Sequence, residues 1–243
     1  MLTCPICGEP IAKPNSCVAI DDALKAHVDA LYQYQVGAMP SFLMRIRTAD
    51  SHLVKTHLRG FKTVLEIGAT DGWLTRQLTD HHDVLALDYS AHPVTGLGAK
   101  GAWHTLQTDL TDLSMFPDAK FDALIINHGL HLFPHPVDYA RDVQRLVRPG
   151  GIILLLNLIF HHDPSQRIQQ LKAQAAQFEA ARHMPYLIKP SRGYLDLTDH
   201  AGFIAAGFKI KPYAAMWKSW LKARIKRTAP LYSYGIHHIP MLD

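Results

Sequence analysis

The chain has 243 residues, of which 48% are hydrophobic and 19% charged, and its formal net charge is +4. It is long enough to bury a sizeable core in one large domain with a small appendage, and its composition excludes a disordered or fibrous polymer. The longest apolar run, residues 151–160, is interrupted by Asn157 and is about half of what a membrane helix needs; with no basic-then-apolar leader, a cytoplasmic protein without membrane insertion is expected.

Residues 1–20 read as a cysteine knuckle. Cys4-Pro5-Ile6-Cys7-Gly8 puts two thiolates on a tight turn, and Cys17 adds a third, so Cys4, Cys7 and Cys17 are candidate ligands of a structural zinc ion. A disulfide framework is not expected from three cysteines in this setting. Cys17 lacks a second cysteine beside it, which leaves His27 or Asp21 to complete a tetrahedral site.

Residues 21–60 carry two predicted helices, 21–34 and 40–58, the second closed by Gly60, and both are expected to cover the substrate side. From residue 61 to 243 the pattern is that of an α/β domain. Short apolar runs at 63–67, 84–88, 102–106, 121–127 and 151–158 read as strands, with helices at 72–80 and 137–147 between some of them. Such alternation needs crossover connections, and therefore a mostly parallel sheet with helices on both faces. Val64, Leu65 and Ile67, residues 84–87 and residues 124–126 are near-continuous apolar runs, as in strands covered on both sides. Beyond them lie an insertion at 161–195 with a helix at 165–182, a helix at 196–206 ending at Gly207, a strand at 208–212, a basic helix at 217–227 within 213–230, and a last strand at 231–239.

In parallel sheets ligands gather outside the carboxyl ends of the strands, where strand order reverses. The stretch VLEIGATDG, residues 64–72, runs from a strand into a turn with Gly68 and Gly72, and a helix follows whose free N–H groups would face a ligand. Asp88 ends the second strand about twenty residues later, a spacing at which a carboxylate reaches the ribose hydroxyls of a nucleoside. Asp109, after the third strand, can face an adenine amino group.

In this order the motifs resemble those of class I S-adenosylmethionine-dependent methyltransferases, with a Rossmann-like, seven-stranded sheet. VLEIGATDG is similar to their first motif, LDYS to the ribose motif, QTDL to the adenine motif, and FDALIINHGLHLF followed by RLVRPGGIILL to the strands that close the site; the similarity runs from Thr63 to about Phe160. The resemblance implies S-adenosylmethionine as cofactor, with Glu66, Gly68, Ala69 and Gly72 along its amino acid end, Asp88 and Tyr89 at its ribose, Asp109 and Leu110 at its adenine, and Asn127 and His128 near the transferred methyl. It also implies an antiparallel last strand. One position departs from the family: Thr70 stands where glycine is usual, and a β-branched residue disfavours positive φ. A dehydrogenase is disfavoured because the turn lacks G-x-G-x-x-G spacing.

Methyl transfer is an in-line displacement in which the protein positions a nucleophile and takes its proton. His128 and His131, at the end of the fourth strand, are the candidate bases; the pairs at 81/82, 161/162 and 237/238 are assigned nothing. Lys209, Lys211, Lys218, Lys222, Arg224, Lys226 and Arg227 fall within nineteen residues that hold no acid, interleaved with Trp217, Trp220, Leu221 and Ile225. A solvated face over an ordinary core stripe, a phosphate-binding surface, and a lid over an anionic or membrane-borne substrate compete there. The favoured reading is an S-adenosylmethionine-dependent methyltransferase acting on a small molecule. An RNA methyltransferase using the knuckle and basic helix, and a binding protein that kept the fold without the chemistry, are the alternatives.

Overall fold

The computed structural model describes residues 2–34, 41–94, 96–98, 101, 103–226 and 229–241; in α2 and α7, residues 41–43 and 226 are described as backbone only. Nine strands, β1 (Asn15–Ala19), β2 (Thr63–Ile67), β3 (Asp83–Asp88), β4 (His104–Thr108), β5 (Phe121–Asn127), β6 (Val147–His161), β7 (Leu195–Asp196), β8 (Lys209–Pro212) and β9 (Leu231–His238), form one sheet among the described residues. Its order is β1-β4-β3-β2-β5-β6-β9-β8, with β7 paired to β6 off this path. Every pairing is parallel except those of β9. The fold is thus the expected α/β architecture with an antiparallel last strand. All seven anticipated strands are present, and β1 and the two-residue β7 join them.

Strand alternation divides the core into two layers. Leu65, Leu85, Leu124 and Ile153 face one, packed with Phe203 and Phe208. Val64, Val84, Ile125 and Leu154 face the other, against Val54 of α2 (Ser41–His57) and Leu58 just after it. Both faces are buried, which explains the near-continuous apolar runs. The remaining helices are α1 (Asp22–Tyr34), α3 (Thr75–Leu78), α4 (Pro136–Asp142), α5 (Ser165–Arg182), α6 (Leu197–Ala205) and α7 (Trp217–Lys226). Asp196 caps α6, its carboxylate accepting from the Thr198 and Asp199 N–H groups while Asp199 reaches back to the Asp196 N–H.

Several boundaries differ from the sequence expectation. The strand expected at 102–106 is His104–Thr108, and residue 102 lies outside the described residues, as do residue 40 of the second helix and 227 of the basic one. The helix expected at 137–147 stops at Asp142, continues as a 3-10 turn to Leu146, and β6 begins at Val147. The helix expected at 72–80 shrinks to Thr75–Leu78, because Thr70 (φ 51°) and Gly72 (φ 69°) both turn left-handed before a right-handed helix can start. The knuckle does not stand apart: β1 pairs in parallel with β4, Asn15 opposite His104 and Ala19 opposite Thr108.

The order reverses between β2 and β5, and there two backbone segments approach closely. Gly68 has φ 76°, and a Cβ on it would lie 2.6 Å from the Asn127 carbonyl oxygen and 3.0 Å from that of His128. Backbone at β5's end occupies the space a side chain would need. Gly68→Ala is therefore expected to lower the unfolding free energy by about 1–3 kcal/mol, measured by urea denaturation; an unchanged midpoint and slope would contradict this packing.

Candidate functional site

At the carboxyl edge of β2 and β3, a buried carboxylate clasps the glycine turn. Asp88 Oδ2 accepts the Thr70 N–H at 2.8 Å, and Oδ1 accepts the Ser90 N–H at 2.9 Å and, more weakly, the Tyr32 hydroxyl at 3.5 Å. The Gly68 and Ala69 N–H groups donate to the Leu87 carbonyl at 2.9 and 3.0 Å. Thr70 takes the left-handed conformation despite its branched Cβ, and its hydroxyl donates to Asp71 at 3.2 Å. Burial pushes the Asp88 carboxyl up to about 6, opposed by these backbone donors.

Glu66 does not open onto the cleft. It is fully buried, accepts the Thr75 hydroxyl at 2.6 Å and the Asn127 side-chain N–H at 3.1 Å, and is pushed up to about 7 by burial. Its side chain ties the turn to the end of β5. Ala69 is buried, and Gly72 lies beneath the Trp103 ring, which fills the place of a Cβ. One further step along the edge, Asp109 accepts Lys189 Nζ at 2.6 Å, the Thr111 hydroxyl at 2.7 Å and the Tyr89 hydroxyl at 3.3 Å. Burial raises this carboxyl, but the Lys189 and Thr111 bonds outweigh it and hold it below the ordinary value. Leu110 is buried, its carbonyl accepting the Tyr139 hydroxyl at 2.7 Å.

Two elements close over this row. Tyr32 of α1 reaches Asp88, while His27 Nε2 sits 2.6 Å from the Pro185 carbonyl and Tyr34 packs edge-on against Phe178 of α5 at 5.3 Å. Lys189, from the insertion, covers Asp109.

Beside the ends of β2 and β5, a small cavity of about 70 Å³ is lined by Arg47, Thr70, Trp73, Asn127, His128 and Asn157. Larger hollows of about 530 and 650 Å³ lie beside Tyr139 and Arg145 and beside Phe61 and His82, away from the strand ends where ligands bind. His128 (φ 58°) is exposed to solvent on one side yet crowded on the others, and loss of water holds its imidazole below the ordinary pKa. His131 stacks edge-on with it at 5.5 Å and is lowered too, first by burial and then by the neighbouring His128 and Arg167 charges.

Sequence reasoning saw Asn157 only as an interruption of an apolar strand. It is left-handed (φ 56°), where β6 bulges against β9 between Leu155 and Leu158. Its side-chain N–H donates to Asp50 Oδ2 at 3.0 Å, and its backbone N–H to the Tyr213 hydroxyl at 3.1 Å, which in turn donates to Asp50 Oδ1. The amide nitrogen faces Asp50, and the Asn157 Oδ1 is left buried without a partner among the described residues. Asp50 itself is wholly buried and pushed up to about 7 by that burial, despite the Tyr213 and Asn157 bonds.

At the opposite edge, β1 brings the three cysteines to a fourth donor that sequence reasoning missed. The ligand atoms of Cys4, Cys7, Cys17 and His104 all lie within 4.8 Å of one another. Cys4 and Cys17 sulfurs are 3.9 Å apart, and His104 Nε2 is 3.6 Å from Cys17 Sγ and 3.7 Å from Cys7 Sγ. A tetrahedral zinc with its usual bond lengths separates sulfurs by about 3.8 Å and sulfur from nitrogen by about 3.6 Å. His104 Nδ1 is 3.1 Å from the Lys13 carbonyl, which can only accept, so Nε2 carries the lone pair toward the sulfurs. His27 and Asp21, the earlier candidates, are engaged elsewhere: His27 at Pro185, and Asp21 accepting the Leu24 N–H at 2.8 Å. His104 sat unmarked among sixteen histidines.

Residues 65–155 match the family model described as a methyltransferase domain. With the sheet order, this describes a Rossmann-like fold that contains a stretch similar to a methyltransferase domain. Among curated relatives, a malonyl-[acyl-carrier protein] O-methyltransferase of Enterobacter lignolyticus is 28% identical over 123 residues, covering 50% of this chain and 49% of that protein. A fatty-acid O-methyltransferase of Mycolicibacterium smegmatis is 32% identical over 87 residues (32% and 31%), and a ubiquinone/menaquinone biosynthesis C-methyltransferase of Pseudomonas savastanoi 32% over 113 (41% and 44%). The chain thus spans about half or less of the length of the curated relatives it matches. Of solved structures, the Bacillus subtilis YcgJ protein aligns with TM-score 0.52 at 16% identity, over 81% of this chain and 100% of that one. A Haemonchus contortus phosphoethanolamine N-methyltransferase aligns with TM-score 0.51 at 15% identity, over 80% and 53%. These likenesses describe the fold.

The Asp50 cluster has a pH signature. A carboxyl raised in the folded state contributes stability at acid pH that is lost as pH rises from its unfolded value to about 7. Relative to wild type, Asp50→Asn should gain on the order of 1–3 kcal/mol of unfolding free energy between pH 4.5 and pH 8. Denaturation at both pH values measures it; a constant difference would contradict the buried, ionising Asp50.

Proposed function

We propose that the protein transfers a methyl group from S-adenosylmethionine to a small-molecule acceptor at the carboxyl edge of β2, β3 and β5. The observation that carries this reading is the clasp of the Gly68–Thr70 turn by Asp88 where strand order reverses. The residues fit the cofactor in chemistry: Asp88 and Asp109 are acceptors set in a row, and the Tyr32 hydroxyl at 3.5 Å makes the weakest of Asp88's bonds, the one a ribose hydroxyl would replace. Gly68, Ala69 and Gly72 would flank the amino acid end, Tyr89 and Leu110 the nucleoside, and Asn127 the sulfonium, while Glu66 holds the turn from beneath. Lys189 would have to leave Asp109 for that carboxylate to meet adenine.

When bound, the cofactor supplies an activated methyl for in-line displacement. His128 and His131, both held below the ordinary imidazole value, are neutral near pH 7; His128, on the cavity wall, is the one placed to take the acceptor's proton, whereas His131, lowered to about 3, is the weaker base beside it. Arg47, Trp73 and Asn157 wall the acceptor side. That the relatives are named for malonyl-[acyl-carrier protein], a fatty acid and ubiquinone/menaquinone biosynthesis supports an apolar or acidic metabolite as acceptor.

The same reading includes a structural zinc on Cys4, Cys7, Cys17 and His104. His104 begins β4 and Asp109 follows its end, about 16 Å away at strand rise, so such an ion would anchor the N-terminal segment and take no part in transfer.

Isothermal titration is expected to show S-adenosylmethionine uptake near one per chain, weakened by about 10–100-fold in Asp88→Ala; no heat with the wild-type protein would contradict the reading. Elemental analysis of purified protein should find about one zinc per chain, with both zinc content and melting temperature lowered in Cys17→Ser and His104→Ala. Zinc-free protein whose three thiols alkylate freely would refute the metal site.

A further inference from the structure

A helix that already has a buried side still exposes a second apolar stripe. α7 docks through Ala223, which is buried, and through Met216 just before it, which packs on Ile46 of α2 and Tyr213. Yet Trp217, Leu221 and Ile225, spaced one turn apart, are 58%, 44% and 71% exposed. The core-stripe reading of these residues is therefore overturned. Lys218 and Lys222 flank the stripe on one side and Arg224 lies along the other; all three are exposed, and residues 209–226 contain no acid. Lys218 Nζ sits 5.7 Å from the Trp217 ring and the Arg224 guanidinium 4.6 Å from Trp220, so cations ride beside indoles at the surface. The place of the helix matters as well. β6 and β8 both pair antiparallel with β9, so β8 runs with β6 and ends at the same edge as the Gly68 turn. α7 follows that end.

We propose that α7 seats the protein on an anionic lipid bilayer, Trp217, Leu221 and Ile225 entering the headgroup boundary and Lys218, Lys222 and Arg224 meeting the lipid phosphates. A bilayer rewards both halves of this pattern: a line of apolar groups with an indole, and cations beside it. A folded acidic partner needs about 800 Å² of complementary surface on each side, whereas a ten-residue helix offers a line about 15 Å long. Nucleic acid rewards the cations and indoles but gains nothing from Leu221 or Ile225. Contact of this size is reversible and salt-sensitive. It would turn the carboxyl edge toward the membrane, so an acceptor dissolved in lipid would enter without crossing bulk water. The surface contact stands whether or not transfer chemistry is demonstrated.

The test is co-sedimentation of the full chain with vesicles of phosphatidylcholine and phosphatidylglycerol at equal parts, against pure phosphatidylcholine, at about 0.1 M salt. The wild-type protein should pellet with the anionic vesicles at least about tenfold more strongly than with neutral ones, and release as salt rises. Leu221→Ser with Ile225→Ser should weaken pelleting at least about tenfold while zinc content and melting temperature stay unchanged, since both positions are exposed. Failure to pellet with anionic vesicles overturns the proposal, as does undiminished pelleting of the double variant. So does self-association by light scattering that the double variant abolishes, which would assign the stripe to a second copy. RNA binding without vesicle binding overturns it as well.

Discussion

The carboxyl edge of the sheet depends on one interaction: the Asp88 carboxylate accepting the Thr70 N–H across the gap between the first two parallel strands. A buried carboxylate costs free energy unless donors surround it. Here two backbone N–H groups and a tyrosine hydroxyl do so, and burial still drives the carboxyl up to about 6. The clasp also accounts for Thr70. A β-branched residue held left-handed costs about 1–3 kcal/mol, and such strain persists only where surrounding bonds fix it. The Asp88 bond and the hydroxyl's bond to Asp71 do that, so a left-handed turn is held here on a threonine.

The first sixty residues serve this edge from three directions. β1 lengthens the sheet beyond β4 and brings the cysteines to His104. α1 lays Tyr32 on Asp88. α2 supports the other face of the sheet and sends Asp50 to Asn157 and Arg47 to the small cavity. With Lys189 on Asp109, the Asp88–Asp109 row is covered by side chains, so the proposed cofactor would bind only as α1 and the insertion move.

Seven of the strands and their mostly parallel arrangement were readable in the sequence because buried parallel strands leave near-continuous apolar runs, and because Gly68, Asp88 and Asp109 fall at strand ends in order. The short α3 was not, since only the backbone angles of Thr70 and Gly72 reveal two left-handed turns in succession. His104 and Asp50 were invisible for another reason. Each acts through a partner far away in the chain, 87 residues for His104 and Cys17 and 107 for Asp50 and Asn157, and a single histidine or aspartate carries no local pattern. Asn157 did leave a mark as a polar residue inside a buried run. The exposed stripe of α7 misled because helical spacing of apolar residues says nothing about which side is covered.

The central claim is that the Asp88 clasp is the seat of an adenosyl cofactor. The most direct measurement is a crystal structure of the protein soaked with S-adenosylhomocysteine. The account expects density for the ribose on Asp88, with the Tyr32 hydroxyl displaced and the Thr70 N–H bond kept. Density at another strand end, or an intact Tyr32–Asp88 contact beneath a ligand bound elsewhere, would contradict it.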